Sequence, residues 1–180
     1  MKIILASNSA RRKELLTKHN IEYDCIPSNV DEKVLSDLTV TENVMNLAKI
    51  KCLDIAQKYP ERIILAADTI VVFNNTIFGK PKDENDALDM LLKLQGNTHE
   101  VITAVAVFKD GNIKVDYEVS RVVFKKATKE ELIEYIKTEE PMDKAGSYAI
   151  QGIGAKFIDR YVGEFDNIVG LPMKLVLKML

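Results

Sequence analysis

The sequence predicts an α/β fold built on a mixed, elongated sheet with flanking helices. Helical patterns alternate with short apolar strands, and two hairpin signals interrupt that alternation, at Asn74-Asn75 and at Asp110-Gly111. Hairpins join antiparallel strands, so a purely parallel sheet does not fit. With 180 residues and 47% hydrophobic residues, the chain can bury a core in a single domain, 1–180, of one or two lobes.

The first third of the chain predicts two strands and two helices. "KIILA" is predicted to be a buried strand, residues 10–19 a helix with Leu15 and Leu16 inward, and "EYDCIP" a short strand. Residues 42–59 are predicted as the longest helix, which Pro60 ends. Its apolar residues follow a three-four spacing: Val44, Leu47, Ala48, Ile55, Ala56 and Tyr59.

The remaining elements include both hairpins. "RIILAAD" is predicted to be a buried strand, followed by the hairpin "TIVVFNNTIFG" and by a helix that Asp83 caps and that ends near Leu94. A long hairpin follows, and "TKEELIEYIKT" begins with a capping box. "EEPMDKAGSYAIQGIGAKF" is predicted to be a loop that leads to a strand near 155–159, and a last helix starts from Pro172.

Composition and charge exclude several classes of function. A net charge of −2 and the lack of an aromatic-basic stripe argue against a nucleic-acid partner. No apolar run approaches the roughly 18 residues of a membrane span, and "IILA" is too short for a signal peptide, so we expect a cytoplasmic protein without a membrane partner. Cys25 and Cys52 form no CxxC pair, and neither His19 nor His99 lies beside a nucleophile motif.

The stretch "SNSARR" is the first candidate site. Ser9 is a suitable N-cap for the helix that follows the first strand, and the N–H groups of a helix start attract anions. Arg11 and Arg12 would strengthen such a site, because guanidinium groups form paired, charge-assisted hydrogen bonds with phosphate. A capped helix with two solvated arginines is the alternative.

Lys51 is the second candidate, because it lies within the apolar stripe of the helix predicted over 42–59. A lysine in such a position is rare without a partner or a ligand. The alternative is a lysine at the edge of the stripe whose ammonium reaches solvent. Lys49 projects elsewhere and is expected to be solvated.

Two further candidates follow in "AADT" and "GKP". Asp68 ends an apolar strand, where a carboxylate can hold Mg²⁺ or activate water, and Thr69 adds another oxygen. A side chain that caps the next turn is the alternative for Asp68. Lys80 lies between a glycine and a proline in a rigid loop, although a solvated turn lysine is the commoner meaning of that tripeptide.

The loop "EEPMDKAGSYAIQG" is the last candidate, because it combines acidic, basic and amide side chains with turn residues, as functional loops and many surface connections do. Together the candidates supply cations and carboxylates at strand ends and in loops. This inventory suits a polyphosphate and a divalent metal, with displacement at phosphorus. Its members are Arg11, Arg12, Lys51, Lys80, Glu32 and Asp68, with Asp31 and Asp143 as further carboxylates.

Seven blocks of the sequence together resemble the Maf family of nucleoside triphosphate pyrophosphatases. In family order they are "LASNSARRKELL", "VDE", "LAKIKC", "AADTIV", "GKP", "PMDKAGSYAIQG" and "NIVGLP", from about residue 3 to about residue 175. The resemblance implies the inosine-triphosphatase-like fold, in which two lobes flank a substrate cleft. It also implies a metal-dependent cytoplasmic enzyme that converts a nucleoside triphosphate and water into the monophosphate and pyrophosphate.

The resemblance further implies roles for single residues. Asp68 would be the general base that takes a proton from the attacking water, and Glu32 would help to hold Mg²⁺ or Mn²⁺, or the water. Lys80 would act in catalysis beside them, and Ser7 and Ser9 would line the triphosphate pocket. Four cations would neutralise the triphosphate: Arg11, Arg12, Lys51 and Lys80.

The resemblance also favours one branch of the family. Arg11, Thr69 and Gln151 match the branch that hydrolyses dTTP and UTP, whereas the branch acting on 7-methyl-GTP has Trp, Gln and Glu at the corresponding places. An amide offers both a donor and an acceptor, which suits the alternating edge of a pyrimidine. We therefore expect a pyrophosphatase for dTTP, UTP and modified pyrimidine nucleotides.

Two other functions stay open at this point. One is a nucleotide-binding regulator of septum formation with little turnover, since the family is associated with inhibition of septation. The other is the 7-methyl-GTP branch of the same family. The choice between Mg²⁺ and Mn²⁺ is also open, as is a homodimer. Asp143 and Lys144 either contact the substrate or pair with each other.

Overall fold

The strands form one mixed sheet. The computed structural model describes residues 2–180, and its strands are β1 (Lys2–Leu5), β2 (Glu22–Cys25), β3 (Ile64–Phe73), β4 (Thr76–Phe78), β5 (Thr98–Lys109), β6 (Asn112–Phe124) and β7 (Ile158–Val162). Their order is β2-β1-β3-β5-β6-β7, with β4 paired to β3. β1 pairs in parallel with β2 and β3, whereas β4 and β7 pair antiparallel with β3 and β6. The predicted mixed α/β class is therefore confirmed.

Along the chain, the α-helices lie between the strands and after the last strand. They are α1 (Ala10–Lys18), α2 (Val40–Ala56), α3 (Glu84–Leu94), α4 (Lys129–Ile136), α5 (Phe165–Val169) and α6 (Met173–Met179). Asp83 caps α3 by accepting a hydrogen bond from the Asp86 N–H, and α4 begins with the predicted capping box of Thr128 and Glu131. Among residues 2–180, no helix is both long enough and apolar enough to cross a bilayer.

The chain divides into two compact units. Unit 1 contains the described residues through Thr69, together with Thr103–Glu118 and Asp166–Leu180, and unit 2 contains Ile70–Ile102 and Val119–Phe165. Each unit buries its own apolar side chains. In unit 1 these include Ile3, Leu16, Ile55, Leu65 and Leu171, and in unit 2 they include Leu91, Leu94, Leu132, Tyr135 and Phe157.

The longest helix differs from its prediction at both ends. α2 starts at Val40 because Thr39 and Glu42 form a capping box that the apolar spacing does not reveal. The Thr39 N–H donates to Glu42 Oε2 at 2.8 Å, and the Glu42 N–H donates to Thr39 Oγ1 at 3.2 Å. The helix ends at Ala56, earlier than predicted, and residues 57–58 form a turn before Pro60, which cannot continue the helix.

Three other elements correct the sequence prediction. β3 runs without a break from Ile64 to Phe73, so Asp68 lies inside a strand and not at its end. The strand expected near 155–159 is β7 (Ile158–Val162), and a 3₁₀ segment, Ile153–Phe157, precedes it. The short helix α5 was not predicted, since its five residues give too little periodicity to read.

Glu140 organises the end of unit 2, where the loop prediction gave no structure. Three 3₁₀ segments lie there: Glu140–Asp143, Ala145–Ser147 and Ile153–Phe157. The Glu140 carboxylate accepts hydrogen bonds from Tyr135 Oη at 2.6 Å and from the N–H groups of Ile153 at 2.8 Å and Gly154 at 2.9 Å. Burial acts to raise the pKa of Glu140, but these hydrogen bonds lower it below the usual range.

Gly146 is a position in unit 2 where a side chain does not fit. Its φ is +70°, and a Cβ built there would lie 2.7 Å from Val71 Cγ2. We expect Gly146→Ala to lower the free energy of unfolding by about 3 kcal/mol, because left-handed backbone strain and overpacking add together. Gly111→Ala is the matched control: φ is +75° but nothing lies within 4 Å, so about 1 kcal/mol is expected. Equal losses in urea denaturation would contradict the overpacking.

Candidate functional site

Two carboxylates meet one buried ammonium group in unit 1. β3 supplies Asp68, α2 supplies Lys51, and the segment between β2 and α2 supplies Glu32. Lys51 Nζ lies 2.7 Å from Asp68 Oδ1 and 2.9 Å from Glu32 Oε1. The side chains of Lys51 and Asp68 are 10% and 9% exposed, whereas that of Glu32 is 55% exposed. We call these three residues the acid–lysine cluster.

The position of the acid–lysine cluster follows from two sequence patterns. Lys51 faces inward because it continues the apolar stripe of α2, where Val44, Ala48 and Ile55 are fully buried. Asp68 lies beyond Leu65, the last β3 residue paired with β1, so its carboxylate stands where the neighbouring strand has ended. A buried ammonium and a buried carboxylate each need a partner to offset lost hydration, and here each provides it for the other.

Arg12 is held by three acceptors of unit 1. Its Nε donates to the carbonyl oxygen of Gly170 at 2.8 Å, Nη1 donates to Ser7 Oγ at 3.3 Å, and Nη2 donates to Thr69 Oγ1 at 3.1 Å. Burial lowers the pKa of Arg12, and the carboxylate of Asp68 opposes that shift. Arg12 and the acid–lysine cluster are thus close enough to interact electrostatically.

The start of α1 brings the remaining candidates of unit 1 together. Ser9 occupies the N-cap position, as predicted, but within residues 2–180 its side chain makes no capping hydrogen bond to α1. Its N–H instead donates to Ser7 Oγ at 3.2 Å. The half-buried Arg11 follows, and its charge lowers the pKa of Arg12 further. The first-turn N–H groups of α1 therefore lack a serine cap and can face an anion.

The four other predicted residues belong to unit 2. Lys80 is exposed on the bend after β4, and Gln151 is exposed between two 3₁₀ segments. Asp143 and Lys144 form an ion pair with a distance of 2.6 Å, and Lys144 Nζ also donates to the carbonyl oxygen of Glu140 at 2.9 Å. In this structure Asp143 and Lys144 therefore pair with each other.

The family follows from comparison with known proteins. A family model described as "Maf-like protein" matches residues 2–180. The chain belongs to the Maf family. This result confirms the resemblance that the seven sequence blocks indicate.

Two relatives and one solved structure are similar to this Maf chain over most of its length. It is 41% identical over 180 residues to "dTTP/UTP pyrophosphatase" of Aquifex aeolicus, covering 100% of this chain and 94% of that protein. It is 46% identical over 179 residues to the protein of the same name from Caldicellulosiruptor bescii, covering 96% and 89%. The Staphylococcus aureus Ham1 structure is similar in fold, with a TM-score of 0.52 at 15% identity, covering 99% and 97%.

Sequence reasoning missed the groups of this Maf chain that continue the hydrogen bonds from Arg12 beyond Thr69. Thr69 Oγ1 lies 2.9 Å from Thr103 Oγ1, and Thr103 Oγ1 donates to the carbonyl oxygen of Asn167 at 3.0 Å. Thr103 could have been identified from the sequence, because it is a single hydroxyl inside the buried run "VITAVAV" and therefore needs a hydrogen-bond partner. Asn167 and Gly170 contribute backbone carbonyls, which no side-chain pattern reveals.

His99 gives the Maf chain a testable pH dependence. It is 2% exposed, its Nε2 lies 2.7 Å from Tyr148 Oη, and burial lowers its pKa to about 4. The unfolded chain takes up the proton near pH 6.5, whereas the folded chain resists it until about pH 4. We therefore expect full stability above pH 6.5 and a loss of about 3 kcal/mol as the pH falls to 4.

Urea denaturation between pH 7 and pH 5 measures this effect, because most carboxylates titrate below that window. The double variant His99→Phe with Tyr148→Phe removes the titrating group together with its hydrogen-bond partner, and its stability should vary less with pH. His19→Gln, which alters the other histidine, should leave the pH dependence in place. A double variant with the wild-type slope would show that His99 is not the source.

Proposed function

We propose that this protein is a nucleoside triphosphate pyrophosphatase that hydrolyses dTTP, UTP and modified pyrimidine nucleotides to the monophosphate and pyrophosphate. The acid–lysine cluster carries the proposal, because it joins a buried carboxylate, a second carboxylate and a cation within hydrogen-bond distance. Family membership and the names of the relatives support the same activity. We further propose that residues 1–180 act as one cytoplasmic catalytic domain.

Asp68 is the proposed general base. Water attacks the α-phosphorus: its oxygen bonds to that phosphorus, the anhydride bond to the β-phosphate breaks, and pyrophosphate leaves. The water proton passes to a carboxylate oxygen of Asp68. Lys51 keeps Asp68 in place through the contact at 2.7 Å, so the carboxylate that would take the proton is held in one position.

Glu32 and Asp68 are the proposed metal ligands. Among residues 2–180 no three His, Cys, Asp or Glu side chains cluster in a way that would hold a metal. Two carboxylates that converge on the ammonium of Lys51 nevertheless suit Mg²⁺ or Mn²⁺. Such ions commonly take one or two carboxylates and complete their shell with water and substrate phosphates. When bound, the metal would neutralise phosphate charge and polarise the phosphoryl oxygens.

Phosphate recognition is proposed for the start of α1. The α1 N–H groups, Arg11 and Arg12 supply donors and positive charge, and Ser7 and Ser9 line the same turn. In unit 2 the proposal rests on the family motifs alone. It assigns Lys80 to catalysis, Asp143 and Lys144 to substrate binding, and Gln151 to the base.

Specificity for a pyrimidine is proposed from three side chains. Arg11, Thr69 and Gln151 match the dTTP and UTP branch, and the relatives in Aquifex aeolicus and Caldicellulosiruptor bescii carry that name. Gln151 is exposed, so its amide can present a donor and an acceptor to a base.

A panel of nucleotides tests the proposal. Purified protein is incubated with dTTP, UTP, 5-methyl-UTP, ATP, GTP and 7-methyl-GTP in Mg²⁺, in Mn²⁺ and in excess chelator, and pyrophosphate is measured. We expect dTTP and UTP to give the highest kcat/KM and the chelator to abolish release. Preference for 7-methyl-GTP would overturn the proposed pyrimidine specificity, and full activity in chelator would overturn the proposed dependence on a metal. Saturable binding without pyrophosphate would indicate a regulator.

A further inference from the structure

The two hydroxyls behind Arg12 form a hydrogen-bond chain whose direction is fixed. A threonine hydroxyl has one proton to donate, and Thr103 donates its proton to the carbonyl oxygen of Asn167 at 3.0 Å. In the contact of 2.9 Å between the hydroxyls, Thr69 must therefore be the donor. Thr69 Oγ1 then accepts from Arg12 Nη2 at 3.1 Å. Every step runs from the guanidinium toward the backbone of α5.

We propose that Thr103 is a positioning residue for Arg12, and through it for the phosphate of the substrate. This inference rests on the proposed function only in its second half. Successive bonds that point the same way polarise one another, so the chain holds Arg12 Nη2 more firmly than a single threonine would. Thr103 and Asn167 are fully buried, so water does not replace a lost member of the chain.

Arg12 also makes a second, direct contact with the segment that contains Asn167 and Gly170. Arg12 Nε donates to the carbonyl oxygen of Gly170, and the carbonyl of Asn167 accepts from the Gly170 N–H at 3.0 Å as well as from Thr103. Gly170 has φ +122°, and a Cβ there would lie 3.4 Å from Thr69 Oγ1. The segment after α5 thus fixes two of the guanidinium nitrogens, one directly and one through the two hydroxyls.

This arrangement leaves two N–H donors of the guanidinium for an anion. Arginine has five N–H donors, and three are used by Gly170, Ser7 and Thr69. The remaining N–H groups are held in one orientation, which lowers the entropy lost when a phosphate binds. A freely rotating Arg12 would keep its charge but lose this orientation, so substrate binding should weaken more than the chemical step.

The test compares Thr103→Val, which removes the hydroxyl and keeps the shape, with Thr103→Ser, which restores a hydroxyl. Thr98→Val is the control, because Thr98 is an exposed threonine of the same strand. The first measurement is ¹⁵N NMR of the Arg12 guanidinium, assigned with Arg12→Lys, and it needs no substrate. In Thr103→Val we expect rotation about the Nε–Cζ bond to be about tenfold faster. Thr103→Ser and Thr98→Val should retain the wild-type rate.

The second measurement is steady-state kinetics with dTTP below the melting temperature of each variant. For Thr103→Val we expect KM to rise about tenfold while kcat changes less than about twofold, as for lost ground-state binding. In the Arg12→Lys background, the same substitution should leave KM unchanged, because Thr103 acts through the guanidinium. Thr103→Ser should recover wild-type KM.

The outcomes separate this inference from the proposed function. An unchanged guanidinium rotation in Thr103→Val, or an equal rise of KM in the Arg12→Lys background, would overturn the positioning role. Faster rotation in Thr103→Val together with no pyrophosphate release by the wild-type protein would overturn the proposed function and leave the positioning of Arg12 standing. A variant that only melts earlier, with wild-type rotation and KM, would reduce Thr103 to a structural residue.

Discussion

Asp68→Asn is expected to lower kcat for pyrophosphate release from dTTP by about 10²–10⁴-fold, the range of a general base. The amide cannot take a proton from water, yet its carbonyl oxygen can still accept the hydrogen bond that Lys51 Nζ makes at 2.7 Å. The variant should therefore stay folded and bind dTTP. The measurement is kcat by pyrophosphate detection, with a thermal melt of the same sample.

Asp159→Asn is the matched control for this prediction. Asp159 is an exposed carboxylate whose partner is Arg160, at 2.7 Å, and it has no proposed role in the reaction. Its kcat should equal that of the wild type. Turnover by Asp68→Asn at the wild-type rate would show that Asp68 is not the general base, because an amide cannot take a proton from water.

Lys51→Met is expected to lower the free energy of unfolding by about 3 kcal/mol, which is the cost of leaving a buried charge without its partner. Methionine keeps the apolar stem that packs in the stripe of α2, so packing alone should change little. Asp68 then stays buried without the ammonium, since its side chain is 9% exposed. For a chain of this length the loss corresponds to a fall in Tm of about 6–12 °C.

A second variant identifies the origin of this loss. In Lys51→Met with Asp68→Asn the buried charge is absent, so most of the lost free energy should return. Lys49→Met changes an exposed lysine of the same helix and should be nearly neutral. If the double variant melted as early as Lys51→Met, the loss would come from packing, and the ion pair would not be the reason for the buried lysine.

The elements that could be predicted from the sequence are those with local causes. Asp110 and Gly111 both have positive φ, as the hairpin prediction requires, and the capping box of α4 is complete within four residues. The start of α2 was missed because its apolar stripe begins after its cap. β7 was misplaced because the strand signal falls in a segment whose backbone Glu140 holds by hydrogen bonds to Ile153 and Gly154.

In the candidate site, too, residues marked by a local pattern could be predicted, whereas contacts between distant parts of the chain could not. Lys51 could be identified because a charge inside an apolar stripe conflicts with the local pattern, and the structure places two carboxylates beside it. The backbone carbonyls that hold Arg12, directly or through the two threonines, could not be identified. They belong to Asn167 in α5 and to Gly170 beside it, and the carbonyl that accepts from Arg12 Nε is 158 residues away along the chain. Contacts of that separation leave no periodicity in a single sequence.

This separation has a consequence for synthesis of the chain. Unit 1 is assembled from three stretches, and the last of them, Asp166–Leu180, is made last. Translation proceeds from the N-terminus, so Arg12 leaves the ribosome long before Gly170 can accept its hydrogen bond. The guanidinium therefore has no bond to Gly170 until the 158 residues that separate the two have been made. A nascent chain that stops before α5 lacks both backbone acceptors, so the phosphate site proposed around Arg12 is completed only after Asn167 and Gly170 have been made.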